Sequence, residues 1–318
     1  MSRAQQVESV LRPAGPIAAV IAEMSWVLIG GGLIVFAIVM AALTWVLARR
    51  QPAPVTGAST RATWWWVVGA GFVFPVAVLS ALLVYATWRT AGLTPAPAPQ
   101  GLVITVIGRL WWWELHYRDP ERGIDVVLAN QIHLPTGRAV TLGLVSNDVI
   151  HSFWVPALAG KVDMVPGRVH QLRVQADRPG VFRGQCAEFC GEQHARMALH
   201  VVAQSPEDFE RWLALQARPA ETPRDAQAQR GLQVFMAQRC NVCHTVRGLG
   251  TASSLGPDLT HVGSRLHLGA GTLPMGRAAL AEWVGHTQRV KPGARMPSYE
   301  RLDDASMQAL VVFLEQLR

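Results

Sequence analysis

Two stretches without a charged residue limit what this chain can fold into. Trp26 to Leu47 and Trp64 to Trp88 contain no Asp, Glu, Lys or Arg, and a helix of roughly twenty apolar residues crosses the ~30 Å hydrocarbon core of a bilayer. Hydrophobic residues make up 50% of the chain, and two such runs within the N-terminal third are hard to bury in a soluble core of this size. The sequence therefore predicts a transmembrane hairpin with helices over about residues 24–47 and 64–88. Between the helices lies Ala48-Arg-Arg-Gln-Pro-Ala-Pro54, with Arg61 at the far end and no acid. A short arginine-bearing loop belongs in the cytoplasm, so the amino terminus and everything after Trp88 face outward. The first run resembles a secretory signal only superficially. It is longer than a signal's apolar region, and Glu8 and Glu23 dilute the positive flank such a signal carries.

The chain has 4 cysteines, and all of them fall in two short motifs, leaving none over for a structural disulfide. The second motif, Cys240-Asn-Val-Cys243-His244, has the CxxCH spacing that attaches a c-type haem. In that chemistry the two thiols add to haem vinyl groups and the adjacent histidine becomes the proximal iron ligand. A methionine on the other side of the iron raises its potential, and Met275, Met296 and Met307 lie downstream. Met307 shares an apolar helical face with Leu310, Val311, Leu314 and Leu317, which makes it core. Met296 sits in the Pro/Gly-bounded loop Lys291-Pro-Gly-Ala-Arg-Met-Pro297 and is the preferred distal ligand, with Met275 as the fallback.

The first motif, Cys186-Ala-Glu-Phe-Cys190-Gly-Glu-Gln-His194-Ala-Arg-Met197, gathers two thiols, an imidazole and a thioether in one loop. This soft nitrogen-and-sulfur set suits copper. Zinc competes for Cys/His sets, although a methionine ligand would be unusual for it. A single blue-copper ion takes one Cys and two His, so the second thiol here invites a second copper. His151, in Asn147-Asp-Val-Ile-His-Ser-Phe-Trp154, supplies the second imidazole. Two bridging thiolates then give each metal a terminal histidine, with Met197 and a backbone carbonyl as weak outer ligands.

His151-Ser152, Lys161-Val-Asp-Met-Val-Pro-Gly-Arg168 and the Cys186–Met197 run together resemble subunit II of the haem-copper cytochrome c oxidases. The fused CxxCH domain is similar to a bacterial branch of that family. The resemblance implies a dinuclear copper centre, Cu-A, held by His151, Cys186, Cys190, His194, Met197 and the Glu188 carbonyl. It also implies a magnesium ion shared with subunit I through the Glu188 side chain. Trp111, the first residue of Trp111-Trp112-Trp113, corresponds to the family's proposed point of electron input. A half-buried strand of bulky residues would produce the same cluster. The implied partners are oxidase subunits I and III, membrane lipid, and a cytochrome c or an upstream bc-type complex as donor. The implied place is a bacterial inner membrane, with both termini and both redox domains on the outer side. One departure stands out. No acid occurs from Gln51 to Gln100, where many family members carry a glutamate on a proton-uptake path, so that path must use another residue or subunit I alone.

The remaining sequence fits this organisation. Residues 1–93 form the N-terminal segment and hairpin, 94–216 the copper domain and 217–318 the haem domain. Thr94-Pro-Ala-Pro-Ala-Pro-Gln100 reads as a stiff linker. Short alternating runs such as Val103-Ile-Thr-Val-Ile107, punctuated by Pro and Gly, predict an antiparallel sandwich or barrel, and a cupredoxin-like Greek-key β-sandwich fits. Ser205-Pro-Glu-Asp208 starts a helix that runs past Trp212 and Leu215. Residues from Ala217 to Arg224 form a second linker, and the c-type haem domain is expected to be all-α. The formal net charge of +7 lies in the membrane portion and the haem domain, without the basic stripe and exposed aromatics of a nucleic-acid binder.

Three functions remain in view. The first is the electron-input subunit of a terminal cytochrome c oxidase, passing electrons from haem c to Cu-A and on to subunit I for the reduction of oxygen to water. The second is a membrane-anchored carrier feeding another reductase, for nitrous or nitric oxide. It differs from the first only in lacking the match at Glu188 and Lys161–Asp163 that would face a subunit I. The third, a copper assembly or storage protein, has no use for a CxxCH domain. Quinol oxidases typically lack the copper ligands in their related subunit, and here the ligands are intact. The chain itself has no ligand set for a dioxygen-binding centre.

Overall fold

The computed structural model describes residues 9–49, 60–93, 102–250 and 253–318. Most of the arginine-bearing loop and the Thr94–Gln100 linker lie outside the described residues. The chain divides into two units, one within residues 19–96 and the other within 1–18 and 97–318.

In the first unit α1 (Pro16–Ala48) is followed by α2 (Thr60–Trp64), a π-helical stretch (Trp65–Val73) and α3 (Phe74–Thr90). The π stretch ends with the Phe74 N–H bonded to the Gly69 carbonyl. Pro75 has no N–H to give the next turn and its ring crowds the carbonyl four residues back, which accounts for the wider turn there. Both spans have a mean hydropathy of 2.5 and expose Leu33, Phe36, Trp45, Trp66, Phe72 and Leu83. A helix apolar on all sides and unburied suits lipid rather than water. The Ser25, Thr44 and Thr87 hydroxyls donate back to carbonyls of their own helix, so these polar groups need no outside partner. Glu23 on α1 accepts from Tyr85 (2.8 Å) and Arg89 on α3, joining the start of one helix to the end of the other.

The second unit begins unexpectedly. Residues 9–18, N-terminal to the apolar run, pack on the β domain rather than standing apart from it. Ala14 N–H donates to Ala157 (2.7 Å) and the Ala14 carbonyl accepts from Asp177 N–H (2.8 Å). A Cβ on Gly15 would lie 2.1 Å from the Gln175 carbonyl oxygen, so only glycine allows this seat.

The β domain contains β1 (Val103–Arg109), β2 (Trp112–Asp119), β3 (Ile124–Ala129), β4 (Gln131–Pro135), β5 (Val140–Ser146), β6 (His151–Trp154), β7 (Val162–Met164), β8 (His170–Val174), β9 (Gly180–Cys186) and β10 (Ala198–Gln204). They form two five-stranded sheets, ordered β3-β2-β1-β5-β8 and β4-β10-β9-β6-β7. Ile104, Val106, Trp113, Leu115, Tyr117, Leu142 and Phe182 fill the space between them, following the period-two alternation of the sequence. This is the expected cupredoxin-like sandwich, with one departure from all-antiparallel pairing: β1 pairs parallel with β5, and β4 with β10. The chain changes sheets at Asn130, whose φ of 61° is a left-handed conformation that asparagine tolerates better than most residues. β4 therefore joins the opposite sheet, and β5 returns beside β1 in the parallel sense.

α4 (Pro206–Ala217) starts where Ser205 caps the Asp208 N–H at 3.1 Å. The haem lobe follows, with α5 (Ala226–Ala237), a two-stranded hairpin of β11 (His267–Leu268) and β12 (Leu273–Pro274), then α6 (Arg277–Gly285), α7 (Thr287–Val290) and α8 (Asp304–Gln316). The hairpin is the only strand structure among this lobe's described residues. α5 and α8 meet at Gly231, where a Cβ would come within 2.1 Å of the Ala309 carbonyl oxygen, and Phe235 packs edge-on against Phe313.

His133 on β4 shows how the sandwich excludes charge. Its ring stacks on Trp212 of α4 at 3.8 Å, with the two nitrogens paired to Gln131 and Gln204. Burial lowers its pKa from 6.5 to about 3, against the opposing Gln204 hydrogen bond. The folded state then binds fewer protons than the unfolded chain, so this stabilising contribution is complete above pH 6.5 and is lost as pH falls towards 3. His133→Phe keeps the stack and removes the proton site. Its melting temperature should be lower than wild type at pH 7 but fall less steeply on acidification, as followed by near-ultraviolet circular dichroism. An acid slope equal to that of the wild type would contradict this assignment.

Candidate metal centre and haem cavity

The candidate metal-ligating residues come from two places in one sheet. β6 begins at His151, and β9 ends at Cys186 and turns through Cys190 and His194 to Met197 before β10. Two main-chain bonds close this loop, from Cys186 N–H to the Met197 carbonyl and from Ala187 N–H to the Ser152 carbonyl, both 2.9 Å. Ligand atoms of His151, Cys186 and Cys190 all lie within 4.8 Å of one another. Cys186 Sγ is 3.8 Å from His151 Nδ1, 3.8 Å from Cys190 Sγ and 3.2 Å from the Glu188 carbonyl oxygen. Cys190 Sγ is 3.6 Å from His194 Nδ1 and 3.8 Å from Met197 Sδ. All six groups singled out in the sequence thus converge.

The spacing suits two thiolates that share a metal rather than a disulfide. A disulfide requires sulfurs about 2.05 Å apart, whereas two thiolates that share a tetrahedral metal at about 2.3 Å lie roughly 3.8 Å apart. The thiols are buried among apolar side chains, and the neighbouring sulfur and imidazole favour one thiolate in the pair. The Cys186 pKa is lowered well below that of a free thiol, chiefly by the Cys190 S–H, while that of Cys190 rises.

His151 is fully buried and is oriented from behind. Its Nε2 meets Asp148 Oδ1 at 2.7 Å, and Asp148 also accepts from the Val149 and Leu110 N–H groups. Nδ1 is thereby left facing the sulfurs, the usual division of labour for a ligating histidine. Burial pulls the imidazole's pKa down, but Asp148 and Cys186 outweigh it and raise the value to about 9. Gly108 makes the room, since a Cβ there would lie 2.7 Å from His151 Cδ2.

The second site is a cavity lined by Cys240, Cys243, His244, Met296 and Tyr299 from the haem lobe, and by Trp111 and Trp112 from the sandwich. Neither Met275 nor Met307 lines it. His244 Nδ1 lies 2.8 Å from the Pro257 carbonyl oxygen, so Nδ1 carries the proton and Nε2 is free for a metal. A Cβ on Gly256 would come within 2.8 Å of His244 Cε1, so that glycine keeps the imidazole in place. Free thiols, an oriented imidazole and a thioether on one apolar cavity fit a haem attached through its vinyl groups.

Trp111 belongs to both sites. Its Nε1–H donates to the Cys190 carbonyl (2.8 Å), while its ring lines the haem cavity. Sequence reading did not identify Asp148, Gly108, Gly256 or Pro257 as supporting groups. Only Asp148, three residues before His151, carried any signal for a carboxylate behind a ligand.

Comparison with known proteins points the same way. Residues 121–204 match the family described as cytochrome c oxidase subunit II, periplasmic domain, and residues 228–318 match cytochrome c. The chain is 33% identical over 269 residues to cytochrome c oxidase subunit 2 of Alkalihalophilus pseudofirmus, covering 84% of this chain and 76% of that one. It is 29% identical to the Bacillus subtilis protein of the same name, over 70% of this chain and 64% of that one. A solved periplasmic domain of subunit II of a Bradyrhizobium japonicum cytochrome oxidase is similar at 27% identity and TM-score 0.35, covering 38% of this chain and 96% of that one.

Gly108→Ala tests the seat of His151. We expect copper content, by elemental analysis, to fall below the two ions per chain expected of the wild type, with β-sheet circular dichroism unchanged. Gly143→Ala on β5, whose Cβ would meet nothing closer than Thr105 Oγ1 at 3.7 Å, should keep both ions. Full copper in the Gly108 variant would refute the role given to this contact.

Proposed function

The chain belongs to the cytochrome c oxidase subunit 2 family, and we propose that it is the electron-input subunit of a bacterial terminal oxidase, accepting electrons at a covalent haem c and relaying them through Cu-A to subunit I. The coarser role, electron transfer within a haem-copper oxidase, follows from the family and from the matching subunit II and cytochrome c domains. One observation carries the finer reading: the Trp111 indole hydrogen-bonds to the Cys190 carbonyl and also forms part of the haem cavity wall. Electron tunnelling weakens steeply with distance, so a side chain common to both sites shortens the route between them.

When bound, the copper pair and the haem supply reversible one-electron chemistry. The protein residues set the conditions for it. We assign His151, Cys186, Cys190, His194, Met197 and the Glu188 carbonyl to the copper pair, and Cys240, Cys243, His244 and Met296 to the haem. Asp148 fixes the His151 ring, and Trp113 and Phe153 close off water behind it. A buried, prearranged ligand set changes little in geometry between redox states, which keeps reorganisation small.

Exposed Val149 and Ile150 precede His151, and exposed Phe189 precedes Cys190. Apolar side chains flanking the copper ligands suit a face covered by subunit I. By resemblance to the family we also assign the Glu188 side chain to a magnesium ion shared with that subunit. The two apolar helices and the family fit an inner-membrane protein with a periplasmic domain. We place both termini and both redox lobes on the outer side, with subunit III and a cytochrome c or bc-type donor as further partners.

Two experiments test this reading. In the purified oxidase, Trp111→Ala should slow the appearance of reduced copper after photoreduction of the haem by roughly tenfold or more, a barrier change of about 1.4 kcal/mol, with both absorption spectra intact. An unchanged rate would remove Trp111 from the route. Met296→Ala should lower the haem midpoint potential and abolish the near-infrared sulfur-to-iron band, while Met275→Ala leaves both in place. The reverse pattern would move the distal ligand to Met275.

A further inference from the structure

The contact between the haem lobe and the copper loop is built around one buried cation. Lys291 is 3% exposed, and its Nζ donates to the carbonyls of Arg196 (2.7 Å), Trp111 (2.8 Å) and Gly269 (3.0 Å). An ammonium has three N–H donors and accepts nothing, so these three bonds saturate it. The three carbonyls come from separate segments: the copper loop, the turn before β2 and the β11–β12 hairpin. Removing the cation would leave three carbonyl dipoles converging on a dry point, which is why a charged side chain is tolerated there.

The contact is reciprocal. The Arg196 guanidinium donates to the carbonyl of Val290, next to Lys291, while Lys291 donates to the carbonyl of Arg196. Two residues further on, Gly293 has φ of 76°, and a Cβ there would lie 2.8 Å from Glu192 Oε2 and 3.5 Å from the Trp111 ring. A Cβ on Gly191 would likewise lie 3.2 Å from Trp111 Cζ2. Trp111 is therefore in contact both with a glycine of the copper loop and with a glycine of the loop that carries Met296. Two further bonds cross the same boundary, from Ala198 N–H to the Ala270 carbonyl (3.0 Å) and from Leu266 N–H to Gln131 Oε1 (2.8 Å).

From this arrangement we infer that Lys291 is a positioning residue for electron transfer, clasping the haem lobe to the copper loop with Trp111 fixed between them. The inference rests on the proposed relay through Trp111, but the clasp can be measured without it. Two of its three acceptors, the Trp111 and Arg196 carbonyls, belong to the other lobe, whereas within the haem lobe α5 packs directly against α8.

The test uses the full chain, copper- and haem-loaded, in detergent, comparing wild type with Lys291→Met. Amide hydrogen exchange is read at Ala198 and Leu266, whose N–H groups bond across the boundary, and in α5 and α8 as a measure of lobe stability. We expect faster exchange at the two boundary amides and unchanged exchange in α5 and α8. Copper and haem spectra should be unaltered, and electron transfer from photoreduced haem to copper should slow by tenfold or more. If α5 and α8 exchange faster together with the boundary, Lys291 merely supports its own lobe and the inference fails. Unchanged boundary exchange also overturns it. If the boundary loosens as expected while wild type itself shows no haem-to-copper transfer, the clasp stands and the relay is wrong. Should Lys291→Met fail to incorporate haem, Arg196→Ala cuts the reciprocal bond instead, and it should loosen the same two amides to a smaller degree. No change at those amides in Arg196→Ala would then overturn the clasp.

Discussion

The hydrogen bond from Cys186 N–H to the Met197 carbonyl closes the base of the copper loop, and both redox sites depend on the shape it imposes. It brings the end of β9 and the start of β10 into register, so the intervening residues must arch over the end of the sheet. Cys186 and Cys190 then face inward beside His151 on β6. Gly191 passes along the Trp111 ring, and Arg196 reaches out to Val290 of the haem lobe. A loop open at its base would lose the ligand cluster and the platform for the haem lobe together. The sandwich core beneath it supplies rigidity, with Trp113 and Phe153 edge-to-face at 5.7 Å behind His151.

Three buried titratable groups here differ in how their burial is offset. His133 avoids the desolvation of a charge by staying neutral. His151 keeps a raised affinity for its proton because Asp148 and the Cys186 sulfur surround it, a setting in which a metal displaces the proton and takes over the stabilisation. Lys291 belongs with neither. Burial and the nearby Arg196 lower its pKa to about 7, yet three carbonyls take up all of its donors. Perturbed groups of this kind gather where a structure has a task beyond staying folded.

Much of this could be read in the sequence because the chemistry is concentrated in short motifs. The Cys186–Met197 run and His151 needed no tertiary information beyond a strand pairing, and the two helices announced themselves by length and lack of charge. The loop of Met296, which lines the cavity, stood out because proline and glycine bracket it. Other features depend on contacts that no local pattern encodes. The Gly15 seat, the change of sheet at Asn130 and the parallel pairs arise from where distant strands end up. Gly108 and Gly256 look like ordinary glycines until His151 and His244 are placed against them. Nothing in the sequence marks Lys291 as buried, since its three acceptors are backbone carbonyls, and a carbonyl leaves no trace in residue identity.

Fusing the haem domain to the subunit changes what its contact surface must accomplish. A separate carrier has to find its partner, bind and leave, so its interface balances affinity against release. A tethered lobe docks intramolecularly, at an effective concentration that for short linkers is in the millimolar range, and a modest set of contacts then keeps it in place. The boundary described here fits that regime: a few main-chain bonds, a stacked pair of imidazoles from His200 and His267 at 4.1 Å, glycines that permit close approach, and one saturated cation. Little of it is a broad apolar patch of the kind that holds obligate partners together. Geometry rather than affinity is what such a contact supplies, because a small displacement of Trp111 would lengthen the path between cavity and copper loop while the tether kept the lobes together. A buried, directional ammonium restricts that displacement more closely than an equal area of apolar contact, which can slide at little cost.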